Sequence, residues 1–199
     1  MSVIRAFIAI DLSKEIQSQL EQVSAQLKQR LEGLPIRWVP VENVHLTLKF
    51  LGDVSLSNLD ILQKILRSVS AAHHPLEISA GGLGAFPKAH RPRVIWVGLE
   101  APAELAALQH GIDVETARLG YAREERPFSP HLTVGRVSRN ATPADIRVVA
   151  SVVEEFRVGF LGAAWVNAVH LYRSDLQPGG ATYTCLFSAP LKERHAGAG

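Results

Sequence analysis

The tripeptide His-Leu-Thr occurs twice, at His45-Leu46-Thr47 and at His131-Leu132-Thr133. Each copy sits in an apolar run, residues 44–50 and 128–136, with the composition of a β-strand. Side chains alternate across a strand, so His and Thr at i and i+2 share one face. The leucine between them points to the other face, where a core would lie. Two such strands brought together place two imidazoles and two hydroxyls on one cleft.

The remaining chain supplies the frame. Residues 3–12 read as a first strand. Ser13 is the predicted N-cap of a helix to about Arg30, with Ile16, Leu20, Val23, Leu27 and Leu31 as its apolar stripe. A short strand over residues 36–39 leads into the first motif. A second helix is predicted over residues 57–70, with Ser57 and Asp60 as a capping box and Leu59, Leu62, Ile65, Leu66 and Val69 facing inward. Strands are expected near residues 76–80 and 93–99, joined by the Gly-rich segment 81–88, read as a turn. A third helix over residues 103–119 precedes the second motif. Thr142-Pro143 opens a fourth, with Pro at its first position. Final strands are expected near residues 166–172 and 182–187, with a turn at 177–180 and a frayed tail over 192–199.

The second half thus repeats the plan of the first, the two histidines lying 86 residues apart. The reading is an α+β fold in a single bilobal domain over residues 1–191. Two related lobes of mostly antiparallel sheet, flanked by helices, pack about a pseudo-twofold axis with the site between them.

Composition narrows the chemistry. A net charge of +2 permits an anionic ligand without demanding a nucleic acid. The single cysteine, Cys185, allows neither an internal disulfide nor a Cys-based zinc site, and is expected to be buried in a strand. A reducing, cytoplasmic setting follows. The apolar stretch 6–10 is too short for a signal peptide, and no run approaches the roughly 20 residues of a membrane span. No Gly-x-Ser-x-Gly or His-Glu-x-x-His occurs, and His73-His74 lacks partners at metal-ligand spacing. The segment at Gly81 lacks the ending of a nucleotide-binding loop.

Paired histidines suit general acid–base work on a phosphodiester without a metal, since imidazole titrates near neutrality. A lone strand histidine is ordinarily a satisfied core or surface residue. The repetition reverses that judgement. Thr47 and Thr133 are positioned as donors to phosphoryl oxygens. Lys49 falls on the His45 face, some way along the strand. Strict alternation turns Arg136 away from His131, but Gly135 permits a bulge that would return it as a forked phosphate ligand. The loop carrying Lys88, His90, Arg91 and Arg93 is either an RNA contact or a solvated turn. Phe7, Phe86 and Tyr183 are either base-stacking or, more simply, core residues. His110, His170 and His195 show no partner pattern.

The paired His-x-Thr-x motifs resemble those of the two-histidine phosphoesterase superfamily. Residues 5–10, 84–87, 91–98, 128–136 and 171–176 are similar to segments of the RNA 2′,3′-cyclic phosphodiesterases, also called 2′-5′ RNA ligases. The resemblance spans about residues 3–190. It implies hydrolysis of a 2′,3′-cyclic phosphate RNA end to a 2′-phosphomonoester, with 2′-5′ ligation as the reverse-type activity. It implies His131 as proton acceptor, His45 as proton donor, and Thr47, Thr133 and Arg136 as ligands of the non-bridging oxygens. No metal or cofactor is implied. The implied partner is RNA with a cyclic phosphate end, tRNA fragments being one candidate, acted on by a monomer with no membrane or protein partner. Alternatives are a sister enzyme acting on small cyclic nucleotides or RNA 3′ ends, and a non-catalytic RNA-end-binding module.

Overall fold

The computed structural model describes residues 2–177 and 180–193. Ser13 accepts a hydrogen bond from the Ile16 amide and starts α1 (Lys14–Arg30), whose Ile16, Leu20, Val23 and Leu27 are buried as the spacing predicts. Before it runs β1 (Val3–Ile10), and after it the short β2 (Ile36–Trp38). The first motif lies at the start of β3 (Leu46–Ser55), with His45 one residue ahead of the ladder. Then follow α2 (Leu59–Ser70), β4 (Leu76–Lys88), β5 (Arg91–Glu100), α3 (Ala103–Ala117), β6 (His131–Val137), α4 (Pro143–Glu155), β7 (Gly162–Val166), β8 (Ala168–Gln177) and β9 (Gly180–Pro190).

Two antiparallel sheets result. One has the order β3-β1-β8-β9, the other β2-β6-β5-β4-β7. Strand for strand they correspond: β3 with β6, β1 with β5, β8 with β4, β9 with β7. The motif strand holds the same place in each, and β2 is an additional edge strand beside β6. The lobes are therefore related, but they are not successive halves of the chain. The first sheet takes β8 and β9 from the C-terminal part, while the second takes β2, β4 and β5 from the N-terminal part. Helices α2 and α3 pack together on the first sheet, and α1 and α4 lie on the second. A continuous core joins both, from Ile8, Leu46 and Leu66 to Ile95, Leu132 and Val149. No helix among the described residues is long and apolar enough to cross a membrane.

Several expectations need correction. The proposed capping box of α2 does not form. The Ser57 hydroxyl bonds Ser55 Oγ at 2.8 Å, and the helix starts after Asn58, which makes no side-chain cap. By contrast, Thr142 and Asp145 form a reciprocal box at α4. The Gly-rich segment is strand, not turn. Gly82, at φ +73°, forms a bulge where the β4–β5 register shifts between Gly81 and Leu83. Gly84 carries the Trp96 ring, which a Cβ there would meet at 2.3 Å. Glycine is thus required by packing from the neighbouring strand. The basic loop shrinks to a hairpin turn, since β4 ends at Lys88 and β5 begins at Arg91. The strand expected near 166–172 is present as β8, which begins at Ala168 and runs on to Gln177. Pro178 and Gly179 of the expected turn, and tail residues from 194 on, lie outside the described residues.

Cys185 is exposed, not buried. The β8–β9 register shifts between Leu171 and Tyr172, so that Leu171 pairs Phe187 and Tyr172 pairs Cys185. The bulge at Leu186 sends Cys185 to the face of Tyr172, away from the core.

Candidate active site

Leu46 and Leu132 are fully buried, which fixes the register of both motif strands. A one-residue slip would trade each leucine for a polar neighbour, losing about 2 kcal/mol or more per side chain. β3 and β6 approach each other across the boundary between the sheets. His45, Thr47, His131 and Thr133 are half-buried there.

The two histidines are held alike. His45 Nδ1 lies 3.0 Å from the Asn43 carbonyl oxygen and His131 Nδ1 lies 2.7 Å from that of Ser129. In each case the partner is the carbonyl two residues upstream. A carbonyl can only accept, so Nδ1 carries the hydrogen in both rings. Each Nε2 is then the exchangeable position, a base when bare and an acid when protonated. Asn43 is itself tied down, its amide donating to the Ala181 carbonyl of β9 at 2.9 Å.

Aromatic rings wall both histidines. Tyr172, Tyr183 and Phe7 surround His45 at centroid distances of 4.7, 5.7 and 6.1 Å. Phe86 and Trp96 flank His131 at 4.9 and 6.4 Å. Tyr172 and Phe86 stand on corresponding strands, β8 and β4, so the aromatic walls follow the twofold plan.

The carboxylate does not follow that plan. Asp11, just past β1, lies 3.6 Å from His45 Nε2 through Oδ1 and 3.6 Å from His170 Nε2 through Oδ2. Tyr172 donates its hydroxyl to Asp11 Oδ1 at 2.6 Å. Burial pulls the His45 pKa below its ordinary value, and His170 adds to this. The Asn43 carbonyl and Asp11 oppose it. Burial, and then the Asp11 carboxylate, push the Tyr172 phenol well above its usual range, which keeps it a donor. Among the described residues no group of three or more His, Cys, Asp or Glu is placed to hold a metal ion.

Residues 10–96 match the model of the LigT-like phosphoesterases. The chain is 36% identical over 181 residues to an RNA 2′,3′-cyclic phosphodiesterase of Methanothermobacter thermautotrophicus, covering 91% of this chain and 95% of that protein. The chain belongs to the LigT-like RNA 2′,3′-cyclic phosphodiesterase family. The Escherichia coli member is 30% identical over 183 residues, 92% of this chain and 93% of its own length. Among solved structures, Escherichia coli LigT with 3′-AMP superposes with a TM-score of 0.75 at 28% identity, covering 96% of this chain and 99% of that one. The Thermus thermophilus protein TT0787 gives 0.79 at 25%, covering 96% and 100%.

Within this family fold, both motif strands carry a bulge at the same place. In β3 the pairing steps from Ala9–Thr47 to Ile8–Lys49, leaving Leu48 extra. In β6 it steps from Trp96–Thr133 to Ile95–Gly135, leaving Val134 extra. The bulges reverse alternation beyond the motif, with two consequences. Arg136 returns to the face of His131 and Thr133, opposite Val94, where it is exposed. Lys49, expected on the His45 face, goes to the interior instead, where its ammonium pairs with Asp113 and the Ala122 carbonyl. Phe50 takes the cleft face in its place, 69% exposed. Burial pushes the Asp113 carboxyl up, but bonds from Lys49, the Glu124 amide and Arg123 hold it below the usual range. This cluster anchors the segment leading to Ser129 and His131.

Sequence reasoning missed Asp11, Asn43 and Tyr172, and gave His170 no role. Asp11 and Tyr172 are 161 residues apart, and no local pattern connects them. Phe7 is buried, but in a small cluster with Ala9 and Tyr172 beside His45, and Phe86 and Tyr183 are half-buried beside the histidines.

Proposed function

We propose that this chain hydrolyses the 2′,3′-cyclic phosphate at the end of an RNA strand to a 2′-phosphomonoester, without a metal. The observation that carries this reading is the matched pair of histidines, each donating Nδ1–H to the carbonyl two residues upstream. Two identically oriented imidazoles suit a reaction that must take one proton and give another. His131 Nε2 accepts a proton from water as its oxygen attacks phosphorus. The P–O3′ bond breaks, and His45 Nε2–H protonates the departing oxygen. Each transfer is worth about 10²–10⁴ in rate. Thr47 and Thr133 donate to the non-bridging oxygens, and Arg136 adds charge from the same face. Among the described residues only His45 of the two has a carboxylate beside it, Asp11, which partly offsets the lowering of its pKa by burial and so supports the donor role. With the 5′-hydroxyl of a second RNA replacing water, the same transfers form a 2′-5′ linkage. The similarity to RNA 2′,3′-cyclic phosphodiesterases of Methanothermobacter thermautotrophicus and Escherichia coli supports RNA as substrate.

The test is incubation with a short RNA ending in a 2′,3′-cyclic phosphate, in EDTA, with the product analysed for phosphate position. A 2′-phosphate is expected. Formation of a 3′-phosphate would reverse the assigned leaving group, and dependence on added metal would end the metal-free scheme.

A further inference from the structure

The inference concerns Arg37, and it rests on the reading of the site as an RNA-end phosphodiesterase. β2 is the one strand without a counterpart in the other sheet, and it adds a single outward side chain to the cleft face. Its register with β6 pairs Ile36 with Val137, Arg37 with Arg136 and Trp38 with Gly135. Ile36 and Trp38 lie over Gly135 on the inner face. Arg37 therefore shares the outer face with Arg136, Thr133 and His131. Both arginines are exposed, and among the described residues neither guanidinium is paired with a carboxylate.

Two like charges directly opposite each other on neighbouring strands cost stability. Among the described residues no carboxylate pairs with either guanidinium to offset that cost, whereas an anion lying across the two strands would. The corresponding position to Arg136 in the other sheet is Phe50, whose ring lies beside Phe7, which in turn packs on Tyr172 and Tyr183. Aromatic rings line both histidines, but at these equivalent positions the cleft is asymmetric, with Phe50 on β3 against Arg136 on β6 and Arg37 on β2. Neighbouring strands lie about 4.8 Å apart, so two long guanidinium arms can reach successive phosphates of one chain.

We propose that Arg37 binds the phosphodiester immediately 5′ of the reacting cyclic phosphate, so that the protein selects RNA chains over mononucleotides. A nucleoside 2′,3′-cyclic phosphate has no such group. A dinucleotide with a cyclic end has one. A charge-assisted contact of this kind is worth about tenfold in KM.

The experiment compares kcat/KM for three substrates: a mononucleotide 2′,3′-cyclic phosphate, a dinucleotide carrying the same end, and that dinucleotide with an uncharged methylphosphonate linkage. Wild type is expected to prefer the charged dinucleotide over both others. In Arg37→Gln that preference falls about tenfold, through KM, and Arg37→Lys keeps part of it. In parallel, affinity for a fluorescently tagged dinucleotide 3′-phosphate is measured by anisotropy against salt. The slope of log affinity on log salt should drop by about 0.7 in Arg37→Gln, the value of one phosphate contact in a single strand. An unchanged substrate preference, or an unchanged salt slope, overturns the role of Arg37. Turnover of none of the three by wild type would instead count against the enzymatic reading, and the anisotropy arm still decides on Arg37.

Discussion

Asp11→Asn isolates the one charge that distinguishes the two histidines. The substitution is isosteric, and the amide oxygen can still accept the Tyr172 hydroxyl. What disappears is a negative charge 3.6 Å from His45 Nε2. Asp11 is 47% exposed, so the surrounding dielectric is close to that of water. Coulomb's law at that distance then gives about 1 kcal/mol favouring imidazolium. That corresponds to a factor of up to about ten in the imidazolium equilibrium. Burial already pulls the His45 pKa below its ordinary value, and loss of Asp11 lowers it further. The assay is NMR titration of the imidazole resonances. His45 should titrate lower in Asp11→Asn than in wild type. If His45 must be protonated to act, turnover near neutrality falls by up to about tenfold. A His45 midpoint that stays put or rises would refute the electrostatic reasoning.

Other consequences are separable. Asp113→Asn leaves the Lys49 ammonium buried without its counter-charge and should cost about 3–5 kcal/mol, read as a lowered urea midpoint. Lys49→Met combined with Asp113→Leu should recover much of it. Arg136→Ala should lower kcat/KM by at least about tenfold without lowering the unfolding midpoint, because the side chain is exposed and its removal relieves the like charge of Arg37 opposite. His45 also imposes a pH dependence on stability. Its folded pKa lies below the unfolded value of about 6.5, so the unfolded chain binds the extra proton first. This contribution is complete above that pH and is lost as pH falls through the folded pKa. Urea midpoints between pH 5 and 8 should therefore decline less on acidification in His45→Gln than in wild type.

The elements that were legible in the sequence are those with local determinants. Ser13 and Thr142-Pro143 announce helix starts through capping chemistry, and α1 shows its buried stripe at the spacing of its turns. The motif faces were legible because alternation is rigid over three residues. Beyond them it failed at Lys49, since a one-residue bulge leaves no compositional trace. At Arg136 the adjacent Gly135 made a bulge conceivable, and the extra residue proved to be Val134. Segment 81–88 reads as a turn because glycine usually marks one. Here Gly84 makes room for Trp96, a tertiary demand that no local pattern expresses. Asp11 escaped notice for the same reason: its partners come from β8 and the residues preceding β3. The interleaving of the two sheets was likewise hidden, since a repeated order of elements does not say which copy pairs with which.

The central claim is that His45 and His131 work as one acid–base unit on a cyclic phosphate. Single-turnover hydrolysis of an RNA 2′,3′-cyclic phosphate by wild type, His45→Ala, His131→Ala and the double variant tests it most directly, with circular dichroism to verify folding. The account predicts that each single variant loses about 10²–10⁴ in rate, and that the double variant is little slower than either. A folded single variant that turns over at the wild-type rate would contradict it.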